Sequence, residues 1–184
     1  MSDNPTSYSA FARVWTVGHS TRSIEEFVAL LAQNSIALLA DVRLLPGSRR
    51  YPHFNATVLA GSLREHRIRY EHFPELGGRR KPRPDSLNTV WRNDSFRGYA
   101  DHMETPEFAE GIARLLELAS ATGPAAIMCA EAVWWRCHRA LVSDYLKVRG
   151  VEVIHILNEH KNEPHPFTSA AQVLEGRLSY ACPA

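Results

Sequence analysis

The feature that most constrains this chain is a series of short apolar runs, each closed by a compact polar signature and separated from the next by a stretch of helical periodicity. The signatures are Gly18-His19-Ser20, Asp41-Val42-Arg43, Tyr70-Glu71-His72, Cys129-Ala130-Glu131 and His155-Ile156-Leu157-Asn158. Strands that alternate with helices predict right-handed crossovers and a parallel sheet covered on both faces. In an open sheet of that kind the ligand sits outside the carboxyl ends of the strands. Polar signatures placed at the ends of several runs therefore describe one site.

Residues 14–17 read as a buried first strand ending at Gly18. Ser23, with Glu26 three positions on, forms a capping box for a helix to Gln33, and Phe27, Leu30 and Leu31 share one face of it. Residues 36–42 are apolar on both faces, which favours a central strand. Asp41 needs a partner in such a run. A helix over 55–65 and a third strand over 68–73 follow. Residues 74–93 carry Gly77-Gly78, Pro82, Pro84 and the run Arg79-Arg80-Lys81, and read as a long surface loop. Thr105-Pro106 opens the next helix, with Phe108, Ile112, Leu115, Leu116 and Ala119 facing inward. Gly123-Pro124 precedes a fourth strand at 125–129, a helix spans 138–148 before Gly150, and residues 151–157 are the fifth strand. A short element around 169–174 closes the chain, and no internal repeat is present. The expectation is an α/β three-layer sandwich, Rossmann-like, with a mostly parallel central sheet of about five strands.

With 184 residues and 45% hydrophobic content, the chain suits a single α/β domain over 13–184 behind a flexible N-terminal segment, 1–12. Twenty-one Lys and Arg against 20 Asp and Glu leave a formal charge of +1, so no global field drives it onto nucleic acid or a membrane. The polar segment 1–12 lacks the character of a signal peptide, and no apolar run reaches membrane-spanning length. Three cysteines without an export signal point to reduced thiols and a cytoplasmic location.

The carboxyl-edge residues suggest chemistry. Cys129 follows the fourth strand, Glu131 is two residues on, and Cys137-His138-Arg139 opens the following helix, where positive potential lowers a thiol's pKa. Cys129 or Cys137 is a candidate nucleophile, His138 or His19 its base, and Glu131 an acid or base. Cys129 also has a purely space-filling role open to it, since free cysteines are commonly buried. The same residues, Cys129, Glu131, Cys137, His138 and His19, offer ligands to zinc or iron, but no Cys-x-x-Cys is present, so metal and cofactor stay open. Arg43, Ser48 in the loop that follows it, and Arg139 form a candidate anion-binding set, with Asp41 as the buried partner that orients Arg43 or Arg139. A nucleic-acid surface is the competing reading. It would use Arg79, Arg80, Lys81, Arg83, Arg64 and Arg67 with the aromatics Trp91, Phe96, Tyr99, Trp134 and Trp135, which could equally be a solvated loop and packed rings.

Taken in order, Thr16-Val17-Gly18-His19-Ser20, Asp41-Val42-Arg43 with Pro46, Ser48 and Phe54, Leu76-Gly77-Gly78, Met128-Cys129-Ala130-Glu131 and Cys137-His138-Arg139 resemble the family of domain of unknown function 488. The resemblance runs from about residue 14 to 157. It implies a small prokaryotic, bacterial or archaeal, cytosolic α/β protein of a family without an established reaction, some of whose members carry a DNA-repair label. It also puts His19, Asp41, Arg43, Glu131, Cys137, His138 and Arg139 on signature positions. Ala132-Val133-Trp134-Trp135 departs from the polar connection expected there. Two functions follow: an enzyme acting on a phosphorylated or other anionic small molecule or nucleotide, or a nucleic-acid-binding or adaptor module.

Overall fold

The computed structural model describes residues 13–182; the segment 1–12, expected to be flexible, lies outside the described residues. Five strands, β1 (Arg13–Gly18), β2 (Leu38–Asp41), β3 (Arg69–His72), β4 (Ala125–Cys129) and β5 (Glu152–Asn158), pair in parallel. A sixth, β6 (Lys161–Pro164), returns antiparallel on β5. The order is β3-β2-β4-β1-β5-β6. This is the mostly parallel α/β sandwich that the alternating pattern predicts, with β4 inserted between β2 and β1 where the dinucleotide-binding order 3-2-1-4-5-6 would have β1 beside β2. β2 and β4 are buried at every position, as strands covered on both faces must be.

Helices α1 (Ile24–Gln33) and α2 (Ala56–Glu65) pack Phe27, Leu31, Leu59 and Leu63 against Val17, Leu39, Met128 and Ile156 on one face. On the other face, α3 (Asp94–His102), α4 (Pro106–Thr122) and α5 (Arg139–Val148) pack Tyr99, Phe108, Leu115 and Leu141 against Val14, Ala40, Ile127 and Val153. Alternate residues of β4 divide between the two faces, Ala126 and Met128 to one, Ile127 and Cys129 to the other. The capping box of α1 is present, and Thr105 caps α4 through the Phe108 amide.

Three parts differ from the sequence reading. Residues 94–102 form α3, although their outward positions are so polar that no apolar stripe announces a helix. The stretch 74–93 is fastened rather than purely superficial: Leu76, Gly77, Gly78 and Asn88 are buried, and Asp101 of α3 accepts hydrogen bonds from the Arg83 amide, Ser86 Oγ and Asn88 Nδ2. The C-terminal element is a hairpin, β7 (Gln172–Leu174) with β8 (Arg177–Ser179), joined through Glu175 and Gly176, both at positive φ.

Register sets up the site. Gly18 pairs with Cys129, and Asp41 with Met128, so β1, β4 and β2 end level and side by side. Among the described residues no helix is long and apolar enough to cross a membrane.

Candidate functional site

A cleft of about 690 Å³ opens where β1, β4 and β2 end, a size suited to a small-molecule ligand. β1 delivers His19 to it, the turn after β2 delivers Arg43 and Ser48, and β4 delivers Cys129 and Glu131. The entry to α5 adds Cys137 and His138. Asp41 and Arg139, also singled out from the sequence, lie beneath the cleft rather than on its wall.

Gly18 makes the close packing of this floor possible. The Glu131–Ala132 backbone crosses directly over it, and any β-carbon there would overlap the Glu131 carbonyl oxygen.

Asp41 and Arg43 form one half of the floor. Arg43 Nε and Nη2 reach the two Asp41 oxygens at 2.8 and 2.5 Å, Nη2 also donates to Phe54 O, and Tyr70 OH donates to Asp41 at 2.7 Å. A two-pronged, hydrogen-bonded pair of this kind offsets the cost of burying both charges. His19 stacks on Phe54 with ring centroids 4.1 Å apart. Its Nδ1 faces Ser20 O at 3.0 Å and so carries the proton, which leaves the Nε2 lone pair toward Arg43 Nη1 at 3.4 Å. Burial, then the Arg43 charge, pull the His19 pKa down to about 4. His19 is therefore neutral at physiological pH. Ser48 Oγ accepts from the Tyr51 amide, and the Ser48 amide donates to Asn55, so this loop is internally tied.

The other half is a thiol cluster. Cys129 Sγ, Cys137 Sγ and a His138 ring nitrogen all lie within 4.8 Å of one another. His138 Nε2 is 3.0 Å from Val42 O, and a carbonyl only accepts, so Nε2 bears the proton. Nδ1 faces Cys137 Sγ at 3.6 Å, where it accepts from the thiol or, when protonated, donates to the thiolate. Burial pushes the Cys137 thiol up, but the hydrogen bond from Cys129, the adjoining His138 and the Arg139 charge outweigh it and hold Cys137 well below an ordinary thiol. Cys129 moves the opposite way, raised by the proton it shares toward Cys137 and by its own burial. Of the two, Cys137 is the one that ionises first and Cys129 the one that keeps its proton.

Arg139 favours that ionisation. It is 1% exposed and has no carboxylate partner among the described residues. Its Nη2 donates to Glu131 O at 2.5 Å, Nη1 to Thr16 Oγ1 at 3.2 Å, and its Nε has no hydrogen-bond partner among the described residues. A buried guanidinium left so poorly neutralised favours an anion beside it. The two sulfurs and His138 could also hold zinc with a fourth position open to the cleft.

Toward solvent the cleft carries charges still unspent. Glu131 is exposed, and Arg79 and Arg136 line the walls; none of the three has an ion-pair partner among the described residues. Arg79 and Arg136 were not picked out from the sequence as residues of this site, because they belong to the loop after β3 and the turn before α5. The basic run divides on inspection: Arg80 binds Gly77 O, Pro74 O and Glu107, and Arg83 binds Glu104. Within that run Arg79 and Lys81 have no ion-pair partner among the described residues. Trp134 is buried, donates to Glu163 at 2.8 Å and stacks on His155, whereas Trp135 is 52% exposed.

Fold and site together define an α/β protein with a thiol cluster and unpaired charges gathered at the carboxyl edge of a mostly parallel sheet. The family model described as Domain of unknown function DUF488 matches residues 23–146, more than half of the chain, and the protein belongs to that family. Comparison with curated proteins and with solved structures returns no match.

Proposed function

We propose that this protein is an enzyme that binds a phosphorylated or otherwise anionic small molecule, nucleotides included, and attacks it with the Cys137 thiolate. The observation that carries the reading is the Cys129–Cys137–His138 cluster on the floor of the cleft, above a buried Arg139 that no carboxylate neutralises. A thiolate formed this way is nucleophilic at neutral pH, where a free thiol is mostly protonated. Arg79 and Arg136 draw the substrate anion in. The sulfur forms a bond to the electrophilic centre, and the leaving group departs with the bonding pair and takes a proton from solvent water. Water or a second substrate then attacks, its proton passes to the Glu131 carboxylate and on to solvent, and the thiolate leaves. A reducing cytoplasm keeps both cysteines as thiols. The nucleic-acid reading has less support, since Arg80 and Arg83 are committed to internal contacts.

Alkylation tests this with a neutral and an anionic reagent, iodoacetamide and iodoacetate. Cys137 should react well below the ordinary thiol range of about 8.5, Cys137→Ser should lose that reaction, and Arg79→Gln with Arg136→Gln should slow iodoacetate more than iodoacetamide. Reaction only in the ordinary range, or a stoichiometric zinc bound through Cys129, Cys137 and His138 in the purified protein, overturns the proposal.

A further inference from the structure

Behind the cleft floor a chain of buried polar groups runs from Arg139 into the interior. Arg139 Nη1 meets Thr16 Oγ1 at 3.2 Å, Thr16 Oγ1 meets His155 Nδ1 at 2.7 Å, His155 Nε2 meets His165 Nδ1 at 2.8 Å, and His165 Nε2 meets Asp144 Oδ1 at 2.9 Å. Every member is at most 2% exposed. Asp144 also receives the Thr168 amide and hydroxyl and the Tyr180 hydroxyl, at 2.9, 2.6 and 2.8 Å. As a carboxylate it accepts from all three and from His165 Nε2 as well.

With both imidazoles neutral, only one polarity satisfies all the atoms. Asp144 accepts the His165 Nε2 proton, so His165 Nδ1 is bare and accepts from His155 Nε2. His155 Nδ1 is then bare and accepts the Thr16 hydroxyl proton, and the Thr16 oxygen is left to accept from Arg139. His155 is held neutral, with a pKa of about 2, by burial and by the neighbouring His165 and Arg139. Trp134 lies flat on His155, 4.4 Å between centroids and 7° between planes, and covers the chain. Each link points its proton toward Asp144 and its lone pair toward Arg139. Aligned dipoles of this kind reinforce one another in a dry interior.

We propose that Thr16, His155, His165 and Asp144 form a positioning relay that locks the Arg139 guanidinium beneath the Cys129–Cys137 pair, so that residues outside the cleft set the reactivity of its thiol. The inference rests on Cys137 as the reacting group. Thr16 fixes one terminal nitrogen of Arg139 and the Glu131 carbonyl fixes the other, so both ends of the guanidinium are held. The other ionisable groups that bear on the pair are His138 at the entry to α5, Tyr99 from α3 and Arg43 after β2, while Arg22 bears on Arg139. None of these touches the relay, so a change in the relay reaches the thiol through Arg139.

Thr16→Val keeps the shape and the branched β-carbon but removes the hydroxyl, and Thr16→Ser restores it. The readouts are the pH dependence of Cys137 alkylation by iodoacetamide and the ultraviolet absorbance of the thiolate. Thr16→Val should raise the midpoint by about one pH unit, and so slow alkylation about tenfold in mildly acidic buffer, while Thr16→Ser stays close to wild type. In the unaltered protein, ring-nitrogen NMR shifts should place the proton on Nε2 of both His155 and His165. A depressed wild-type profile that Thr16→Val leaves unmoved, or Nδ1 protonation of either histidine, overturns the relay alone. An ordinary thiol profile in the wild type overturns the reading of Cys137 as well.

Discussion

A single carbon at position 78 tests how tightly the site is built. A β-carbon on Gly78 would lie 2.8 Å from His138 Nδ1 and 3.2 Å from two further ring atoms. The ring cannot yield easily, because Val42 O holds its other nitrogen and Tyr99 packs on it with centroids 4.9 Å apart. Gly78→Ala should therefore push Nδ1 away from Cys137. The expected loss of stability is about 1–3 kcal/mol, the usual range for overpacking, and the rate of Cys137 alkylation near neutral pH should fall. Urea unfolding and alkylation kinetics on the same preparation check both. Wild-type reactivity in the folded variant would remove the His138 contact from the account of the thiolate.

Helix α1 shows how an element can stand apart from the chemistry. Ser23 Oγ accepts from the Glu26 amide at 3.1 Å, and Glu26 accepts from the Ser23 amide at 2.8 Å. Ser23→Ala should cost about 1 kcal/mol, seen as a lower Tm, with Cys137 alkylation unchanged; an altered alkylation rate would tie α1 to the cleft. Elements of this sort were legible in the sequence because local signals agree with the tertiary environment: a cap, a 3.6-residue stripe, or an apolar run flanked by glycine. α3 was not, since Asp101 and His102 are buried among polar partners and leave no apolar stripe to read. β6 was not either. Lys161, Asn162, Glu163 and Pro164 form an edge strand whose pairing with β5 supplies what its side chains do not. The gathering of His19, Arg43, Cys129, Glu131, Cys137 and His138 at one edge was legible from the strand ends. The inner roles were hidden, because Thr16, Arg139, Asp144, His155 and His165 meet only through the fold. The available signal was a polar residue inside an apolar strand, Thr16 in β1 and His155 in β5.

At the scale of the whole molecule, buried neutral histidines, His19 and His155 foremost, make stability depend on pH. Unfolded histidine takes up a proton near 6.5, whereas His19 resists until about 4, through burial and Arg43, and His155 until about 2, through burial and His165. Between these values the unfolded chain binds more protons than the folded one, so stability falls as pH drops. The contribution of His19 is complete above 6.5 and gone below about 4, while that of His155 continues to be lost down to about 2. Each group contributes a slope of at most about 1.4 kcal/mol per pH unit. Cys137 adds to the slope with the same sign, since its folded pKa lies below that of an unfolded thiol. Urea unfolding across the mildly acidic range should therefore show a midpoint that declines steadily from neutral pH downward, and most of the decline should precede the titration of ordinary carboxylates near 4. His155→Gln supplies the control: its unfolding free energy should be lower at neutral pH and less steep in pH, because one proton-linked group has gone. A flat wild-type profile between 6.5 and 4 would mean that His19 and His155 are not buried neutral in solution, and the relay would then lose the neutral histidines on which its polarity depends.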